Sequence, residues 1–214
     1  MKELAFFKMT KCVFFNCQFY KHTYLQRIDK NFMETTMNIF VLSTGRCGST
    51  TFARACEKID NFSSSHESKS NHLGLERFSY PENHIEIDNR LSWLLGRLDQ
   101  AYGNDAFYVH LKREDYLVAK SFTKRYERGI IKAYRGGGII MGLDENSDPM
   151  RVSLDYCQTV NENIALFLKD KTHKMEFNLE SYIQDFRKFW NLINAKGDYQ
   201  DALAEFSVNH NASK

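Results

Sequence analysis

The sequence lacks the features that mark membrane-spanning, secreted or metal-binding proteins. No apolar run approaches the ~20 residues that a bilayer span requires, and mean hydropathy is −0.51. The five cysteines contain no C-x-x-C pair, so we expect reduced thiols, no metal centre and a cytoplasmic location. Lysines interrupt the aromatic residues near the N-terminus, which argues against a secretory signal peptide.

The sequence also lacks an excess of charge of either sign. It has 29 lysines and arginines against 27 acidic residues, a net charge of +2. This balance gives no support to nucleic-acid binding, so any anion site must be local. With 214 residues, the chain is long enough for one domain with its own hydrophobic core.

The first 36 residues show neither a helical nor a strand period. Met37 stands directly before the first apolar run, which extends from Ile39 to Leu42. We therefore expect residues 1–36 to be an N-terminal extension and residues 37–214 to form the domain.

Strand-like and helix-like segments alternate along residues 37–214. Continuous apolar runs at 39–42 and 106–111 predict buried strands, and shorter strands are predicted from residue 63 and at 174–177. Helices are predicted over residues 49–59, 83–102, 112–128, 152–171, 179–195 and 199–206. Because parallel strands need crossover helices, this pattern predicts a three-layer α/β/α fold around a central parallel sheet.

Two polar segments interrupt this alternation. Residues 129–149 contain Gly136-Gly137-Gly138 and are predicted to form a loop of a length typical of lids and binding loops. Asp88, Asn89 and Arg90 lie near the start of the predicted helix over 83–102. One interpretation is that these three residues face an acceptor from the helix start, and the favoured one is that they are part of a solvated helix face.

A loop with the chemistry of an anion site follows the first strand. It precedes a helix N-terminus, where backbone N–H groups and the helix dipole favour negative charge. Gly45 and Gly48 allow close backbone approach, and Arg46 adds a full positive charge. The candidate binding residues are Gly45, Arg46, Cys47, Gly48, Ser49, Thr50 and Thr51.

The spacing in this loop argues against two common phosphate sites. A Walker A loop has a lysine after its last glycine, whereas Ser49 follows Gly48 here, so an ATPase or kinase is not favoured. A cysteine phosphatase uses a shorter cysteine-to-arginine spacing than the six residues that separate Cys47 from Arg54. We interpret Cys47 as a small residue that fills the loop.

Residues Phe40 to Thr51 resemble the 5′-phosphosulfate loop of the sulfotransferases that use 3′-phosphoadenosine 5′-phosphosulfate (PAPS). In that loop a basic residue, a small residue and a glycine precede two hydroxyl residues, and Arg46 takes the basic position. A second motif of the family, an arginine and a serine after a later strand, is matched by Arg113 and Ser121, eight residues apart. Glu114 follows Arg113 where the family often has Asp-Pro.

The resemblance implies a P-loop-NTPase-like sulfotransferase fold. It also implies transfer of a sulfuryl group from PAPS to a hydroxyl, with adenosine 3′,5′-bisphosphate as the product. The loop would hold the 5′-phosphosulfate, and Arg113 and Ser121 would hold the 3′-phosphate. The acceptor would be a small molecule, a glycan or a lipid, and no metal is implied.

Sulfuryl transfer also requires a base for the acceptor proton. The family uses a glutamate or a histidine after its second strand, where this chain has His66 and Glu67. The resemblance favours Glu67 as the base, with His66 as the alternative, and Arg46 would stabilise charge on the sulfonate oxygens. His110 lies in an apolar strand and is interpreted as a core histidine.

Two other functions stay open at the level of sequence. One is a nucleotide-binding module of P-loop ancestry that binds the bisphosphate nucleotide without turnover. The other, less favoured, is a small-molecule kinase with a degenerate loop.

Overall fold

A computed structural model describes residues 36–208 and residue 210. Within them the strands are β1 (Asn38–Leu42), β2 (Ser63–His66), β3 (His84–Ile87), β4 (Ala106–Lys112) and β5 (Lys174–Asn178). The helices are α1 (Ser49–Cys56), α2 (Leu95–Tyr102), α3 (Asp115–Thr123), α4 (Gly129–Ala133), α5 (Pro149–Leu168), α6 (Tyr182–Leu192) and α7 (Tyr199–Ala204). Short 3₁₀ turns cover Gly74–Phe78, Asn89–Trp93, Leu179–Ser181 and Glu205–Ser207.

The five strands form one parallel sheet in the order β2-β3-β1-β4-β5, with β1 at its centre. In the register, Ile39 of β1 lies opposite Ile85 of β3 and opposite Phe107 of β4. β1 and β4 are buried along almost their whole length, as strands covered on both faces must be. The predicted α/β fold with a central parallel sheet is confirmed.

Aromatic side chains fill the core on both faces of the sheet. Phe52 of α1 packs edge-on against Phe177 of β5, which lies opposite Leu111 of β4. Tyr108 of β4 packs edge-on against Phe167 of α5. Since Tyr108 and Leu111 point to opposite faces of their strand, α1 and α5 cover opposite faces. The sheet is therefore the middle of three layers.

The helix predicted over residues 83–102 is wrong in its first half. His84–Ile87 form β3, and a 3₁₀ turn then leads into α2. The sequence does not predict this strand because the polar residues His84 and Glu86 interrupt the apolar pattern. All four residues of β3 are nevertheless buried. Ser63 forms a hydrogen bond with His84, and Ser68 forms hydrogen bonds with Glu86. The apolar pattern of a short segment cannot predict such distant partners.

The segment 129–149 is more ordered than the predicted loop. It contains α4 and an irregular turn over Tyr134–Gly138. At its end Asp148 accepts hydrogen bonds from the backbone N–H groups of Met150 and Arg151, and Pro149 occupies the first turn of α5. These are standard features of a helix start, so α5 begins earlier than predicted.

None of the helices within residues 36–208 has both the length and the apolar character to span a bilayer. In the same range Cys47, Cys56 and Cys157 are buried free thiols. The predicted extension over residues 1–36 lies, apart from Thr36, outside the described residues. The division into an extension and a domain stays a prediction.

Candidate functional site

The loop between β1 and α1 lies at the carboxyl edge of the sheet, where open α/β sheets bind ligands. Its backbone is left-handed at Gly45, Arg46 and Gly48, with φ of 79°, 62° and 81°. The Ser43 hydroxyl accepts a hydrogen bond from the Gly45 N–H at 3.1 Å. Gly48 immediately precedes α1, and no side chain caps that helix. The loop therefore brings the N-terminus of α1 to the edge of the sheet.

Neighbouring side chains explain why both loop glycines are needed. A Cβ on Gly45 would lie 2.9 Å from the Asn89 side-chain nitrogen, and a Cβ on Gly48 would lie 2.9 Å from Cδ1 of Leu179. Both positions also have positive φ, which other residues adopt only at a cost in strain. A larger residue at either position would therefore strain the backbone and push the Asn89 or Leu179 side chain aside.

Two hydrogen bonds connect the loop to the second predicted motif. Nε of Arg46 donates to the Ser121 hydroxyl at 3.0 Å, and Nη1 of Arg113 donates to the Arg46 carbonyl at 3.4 Å. Partial burial and the charges of Arg125 and Arg113 lower the pKa of Arg46. The arginines thus converge in space, and their combined field favours an anion at this place.

A cavity of about 540 Å³ opens beside the loop and α3. Four cationic side chains line it, namely Arg46, Arg113, Lys120 and Lys124. Its other lining residues are Gly48, Ser49, Thr50, Thr51, Leu117, Ser121, Leu179, Tyr182, Phe206, Ser207 and Val208. The volume lies in the range of small-molecule sites, and the cavity combines positive charge, hydroxyls and apolar side chains.

The structure brings most of the predicted binding residues to this cavity. Arg46, the residues Gly48 to Thr51, Arg113 and Ser121 all line it. Gly45 lies at the start of the same loop, packed against Asn89. Lys120 of α3, Lys124 directly after it, and the lining residues after α7 have no motif in the sequence and are found only from the structure.

Cys47 turns its side chain away from the cavity. It is 2% exposed, and its Sγ lies 2.9 Å from the Thr44 hydroxyl. Burial raises the pKa of the Cys47 thiol to about 11, so the thiol is protonated at neutral pH. This geometry excludes a thiolate nucleophile and agrees with a loop-filling role.

The two candidate bases lie at the end of β2, where His66 is its last residue and Glu67 the next one, and they contact different neighbours. Nε2 of His66 lies 3.1 Å from the hydroxyl of Ser49, which lines the cavity. The Glu67 carboxylate forms an ion pair of 2.6 Å with Nη1 of Arg90. Glu67 also has a left-handed backbone, with φ of 55°. Both side chains therefore lie at the carboxyl edge of the sheet, with His66 the one that reaches the loop.

The interpretation of Asp88 and Asn89 as a solvated helix face is wrong. Both follow β3 at the edge of the sheet, and they are 0% and 8% exposed. The Asp88 carboxylate accepts hydrogen bonds from Arg77 at 2.5 Å and from the Arg90 backbone N–H at 2.8 Å. Burial raises the pKa of Asp88 while the Arg77 charge opposes that shift. Asp88 thereby fixes the start of the turn that carries Arg90 to Glu67.

Tyr156 of α5 supports the loop, whereas His110 of β4 lies in the core. The Tyr156 hydroxyl of α5 donates to the Thr44 carbonyl at 2.7 Å. His110 is 2% exposed, its Nε2 lies 3.1 Å from Oδ1 of Asn161, and burial lowers its pKa. His110 is therefore a core histidine, as predicted. Tyr156 gave no indication in the sequence, because its contact spans more than half the chain.

Neither a family model nor a curated protein matches the sequence. Among solved structures, mouse sulfotransferase SULT7A1 complexed with PAP aligns with a TM-score of 0.53. This chain shares its α/β fold with that sulfotransferase. Sequence identity is 13%, and the alignment covers 80% of this chain and 63% of the mouse chain. The chain thus spans less than two thirds of its structural neighbour, and the likeness is one of architecture.

Proposed function

We propose that this sulfotransferase-like chain transfers a sulfuryl group from PAPS to a hydroxyl acceptor and releases adenosine 3′,5′-bisphosphate. The observation that carries the proposal is the cavity at the N-terminus of α1, where two arginines and two lysines converge with loop hydroxyls. A polyanionic nucleotide fits such a set of donors because charge-assisted hydrogen bonds are the stronger ones. The fold of the structural neighbour supports the same activity.

The lining residues fit the parts of PAPS in a specific way. Arg46 and the backbone amides from Cys47 to Thr51 would hold the 5′-phosphosulfate at the helix N-terminus. Arg113 and Ser121 would hold the 3′-phosphate. Apolar side chains on the cavity wall, among them Leu117 and Phe206, would hold the adenine ring. No metal ligand is needed in this assignment.

When bound, PAPS supplies the activated sulfuryl group and a phosphate leaving group. The acceptor oxygen forms a bond to sulfur as the bond from sulfur to the phosphate oxygen breaks. Arg46 and the loop amides would stabilise the charge on the transferring oxygens. Glu67 would take the proton of the acceptor hydroxyl, held in place by its ion pair with Arg90.

Two measurements on the full chain test this function. Adenosine 3′,5′-bisphosphate should raise the melting temperature, because a ligand at 100 times its Kd adds ~2.7 kcal/mol of stability. Labelled sulfate should move from PAPS to at least one of three probes: maltoheptaose, 4-nitrophenol or glucosylceramide. Binding without transfer would favour the nucleotide-binding module, and ATP binding in place of the bisphosphate would favour the kinase. No binding at all would remove the proposal.

The identity of the base is tested by two substitutions. Glu67→Gln keeps shape but cannot accept a proton, so turnover should fall by ~10²–10⁴ while nucleotide affinity stays constant. His66→Ala should retain most of the turnover. The reverse result would assign the base to His66, which lies 3.1 Å from the Ser49 hydroxyl. Full activity in both variants would exclude this pair of residues.

A further inference from the structure

Glu86 is a carboxylate in the interior of the sheet. It lies in β3, pairs with Phe40 of the central strand in the register, and is 0% exposed. A charged group in such a place costs free energy unless it is hydrogen-bonded and paired. The proton transfer to Glu67 proposed above does not use Glu86, so the presence of Glu86 in the core needs another physical reason.

Three donors surround the Glu86 carboxylate. The backbone N–H of Ser68 donates to Oε1 at 2.7 Å, and the Ser68 hydroxyl donates to Oε2 at 2.6 Å. Nε2 of His84 lies 3.1 Å from Oε2, and Nδ1 of the same ring lies 2.8 Å from the Ser63 hydroxyl. Glu86 thus holds both polar groups of Ser68 at once, across a separation of 18 residues in sequence.

Ser68 immediately follows the strained residue Glu67. Glu67 has φ of 55°, a conformation that a non-glycine residue keeps only when its surroundings enforce it. On one side, the Glu67 N–H donates to the Ile87 carbonyl at 3.0 Å. On the other side, Glu86 fixes the N–H and the hydroxyl of Ser68. β3 therefore anchors the left-handed turn both before and after the Glu67 side chain.

We infer that Glu86 is a positioning residue for the acceptor-proton chemistry: through Ser68 it holds the His66–Glu67 turn in the conformation that places the base. This inference rests on the proposed function for its activity measurement. It explains why an acidic residue occupies a buried strand position. A carboxylate accepts hydrogen bonds at both oxygens, whereas an amide replaces one of them by an NH2 group, which accepts none of the three hydrogen bonds.

The test is Glu86→Gln in the full chain, with Glu176→Gln as the matched control. Glu176 is also a strand glutamate, but its side chain is exposed and pairs with Lys112. We expect Glu86→Gln to lower kcat for transfer from PAPS by about 10- to 100-fold, the effect of a small misplacement of a reacting group. Affinity for adenosine 3′,5′-bisphosphate should stay at the wild-type value, and amide hydrogen exchange at Ser68 should accelerate. The control should change none of these.

A double-mutant cycle separates positioning from general damage to the fold. If Glu86 acts through Glu67, adding Glu86→Gln to Glu67→Gln should cause almost no further loss of kcat. Independent, multiplying losses would overturn the inference, and so would wild-type kcat in Glu86→Gln. If Glu86→Gln does not fold, Ser68→Ala is the second variant, because it removes only the hydroxyl contact with Glu86. It should lower kcat by less than Glu86→Gln would. A wild-type kcat in Ser68→Ala would then overturn the inference.

Failure of the proposed function gives a different pattern of results. A wild-type protein that neither binds the bisphosphate nor transfers sulfate would refute the sulfotransferase activity alone. Exchange at the Ser68 amide then decides the anchoring role, because it needs neither nucleotide nor acceptor. Unchanged exchange in Glu86→Gln, measured against Glu176→Gln, would refute the anchor itself.

Discussion

Arg113→Ala tests whether the cavity distinguishes nucleotides by their 3′-phosphate. Arg113 lines the cavity beside Ser121 and hydrogen-bonds the loop carbonyl of Arg46. Its removal deletes a charge-assisted contact worth roughly 1.5–3 kcal/mol. At 1.4 kcal/mol for each factor of ten, affinity for adenosine 3′,5′-bisphosphate should fall by roughly 10- to 150-fold.

Isothermal titration with two ligands isolates that contact. Adenosine 5′-phosphate lacks the 3′-phosphate, so its affinity should change little in Arg113→Ala. Arg54→Ala is the control, because Arg54 is an exposed arginine of α1 that pairs with Glu57 and lies outside the cavity lining. Equal losses of affinity for the two nucleotides would show that Arg113 does not recognise the 3′-phosphate. The bond to the Arg46 carbonyl would then be its main role.

Three further predictions concern two residues of the loop and the N-terminal boundary of the domain. Gly48→Ala should lower the free energy of unfolding in urea by about 1–3 kcal/mol and weaken nucleotide binding. The reasons are that φ at Gly48 is 81° and that Leu179 lies 2.9 Å from the new Cβ. Gly74→Ala is the control for backbone strain alone, because φ is 59° and no atom lies within 4 Å, and it should leave nucleotide binding intact. Cys47, with its pKa raised to about 11, should resist iodoacetamide at pH 8 in the native protein and react after unfolding, as peptide mapping can show. A protein that starts at Met37 should fold and bind the bisphosphate nucleotide, since the Met37 N–H still reaches Asn83 at 3.1 Å; an insoluble product would place the preceding residues in the domain.

Local patterns in the sequence predicted the centre of the sheet and the glycine-containing loop after β1. β1 and β4 are continuous apolar runs, and such runs carry their own evidence of burial on both faces. The glycines and hydroxyls from Gly45 to Thr51 are contiguous, and the spacing from Arg113 to Ser121 lies within one helix and its approach. In each case, the residues that define the feature are neighbours in the chain.

The sequence could not predict features that depend on distant partners. The predicted helix misses β3 because two of the three hydrogen bonds to Glu86 come from Ser68, 18 residues away. The burial of Asp88 is not predictable locally because its buried partner is Arg77, 11 residues earlier. Phe206 reaches the cavity from the far end of the chain. The local sequence does not distinguish a buried charged residue from an exposed one, because the partner of the buried residue lies elsewhere in the chain.

Because β1 lies at the centre of the sheet, the proposed site residues come from two sides of it, the β4 side and the β2–β3 side. The residues proposed to hold the 3′-phosphate come from the β4 side, whereas His66, Glu67 and the groups that fix them come from β2 and β3. Only the loop after β1 belongs to both halves. On the proposed assignment, substitutions at His66 and Glu67 would impair proton transfer while nucleotide recognition persists.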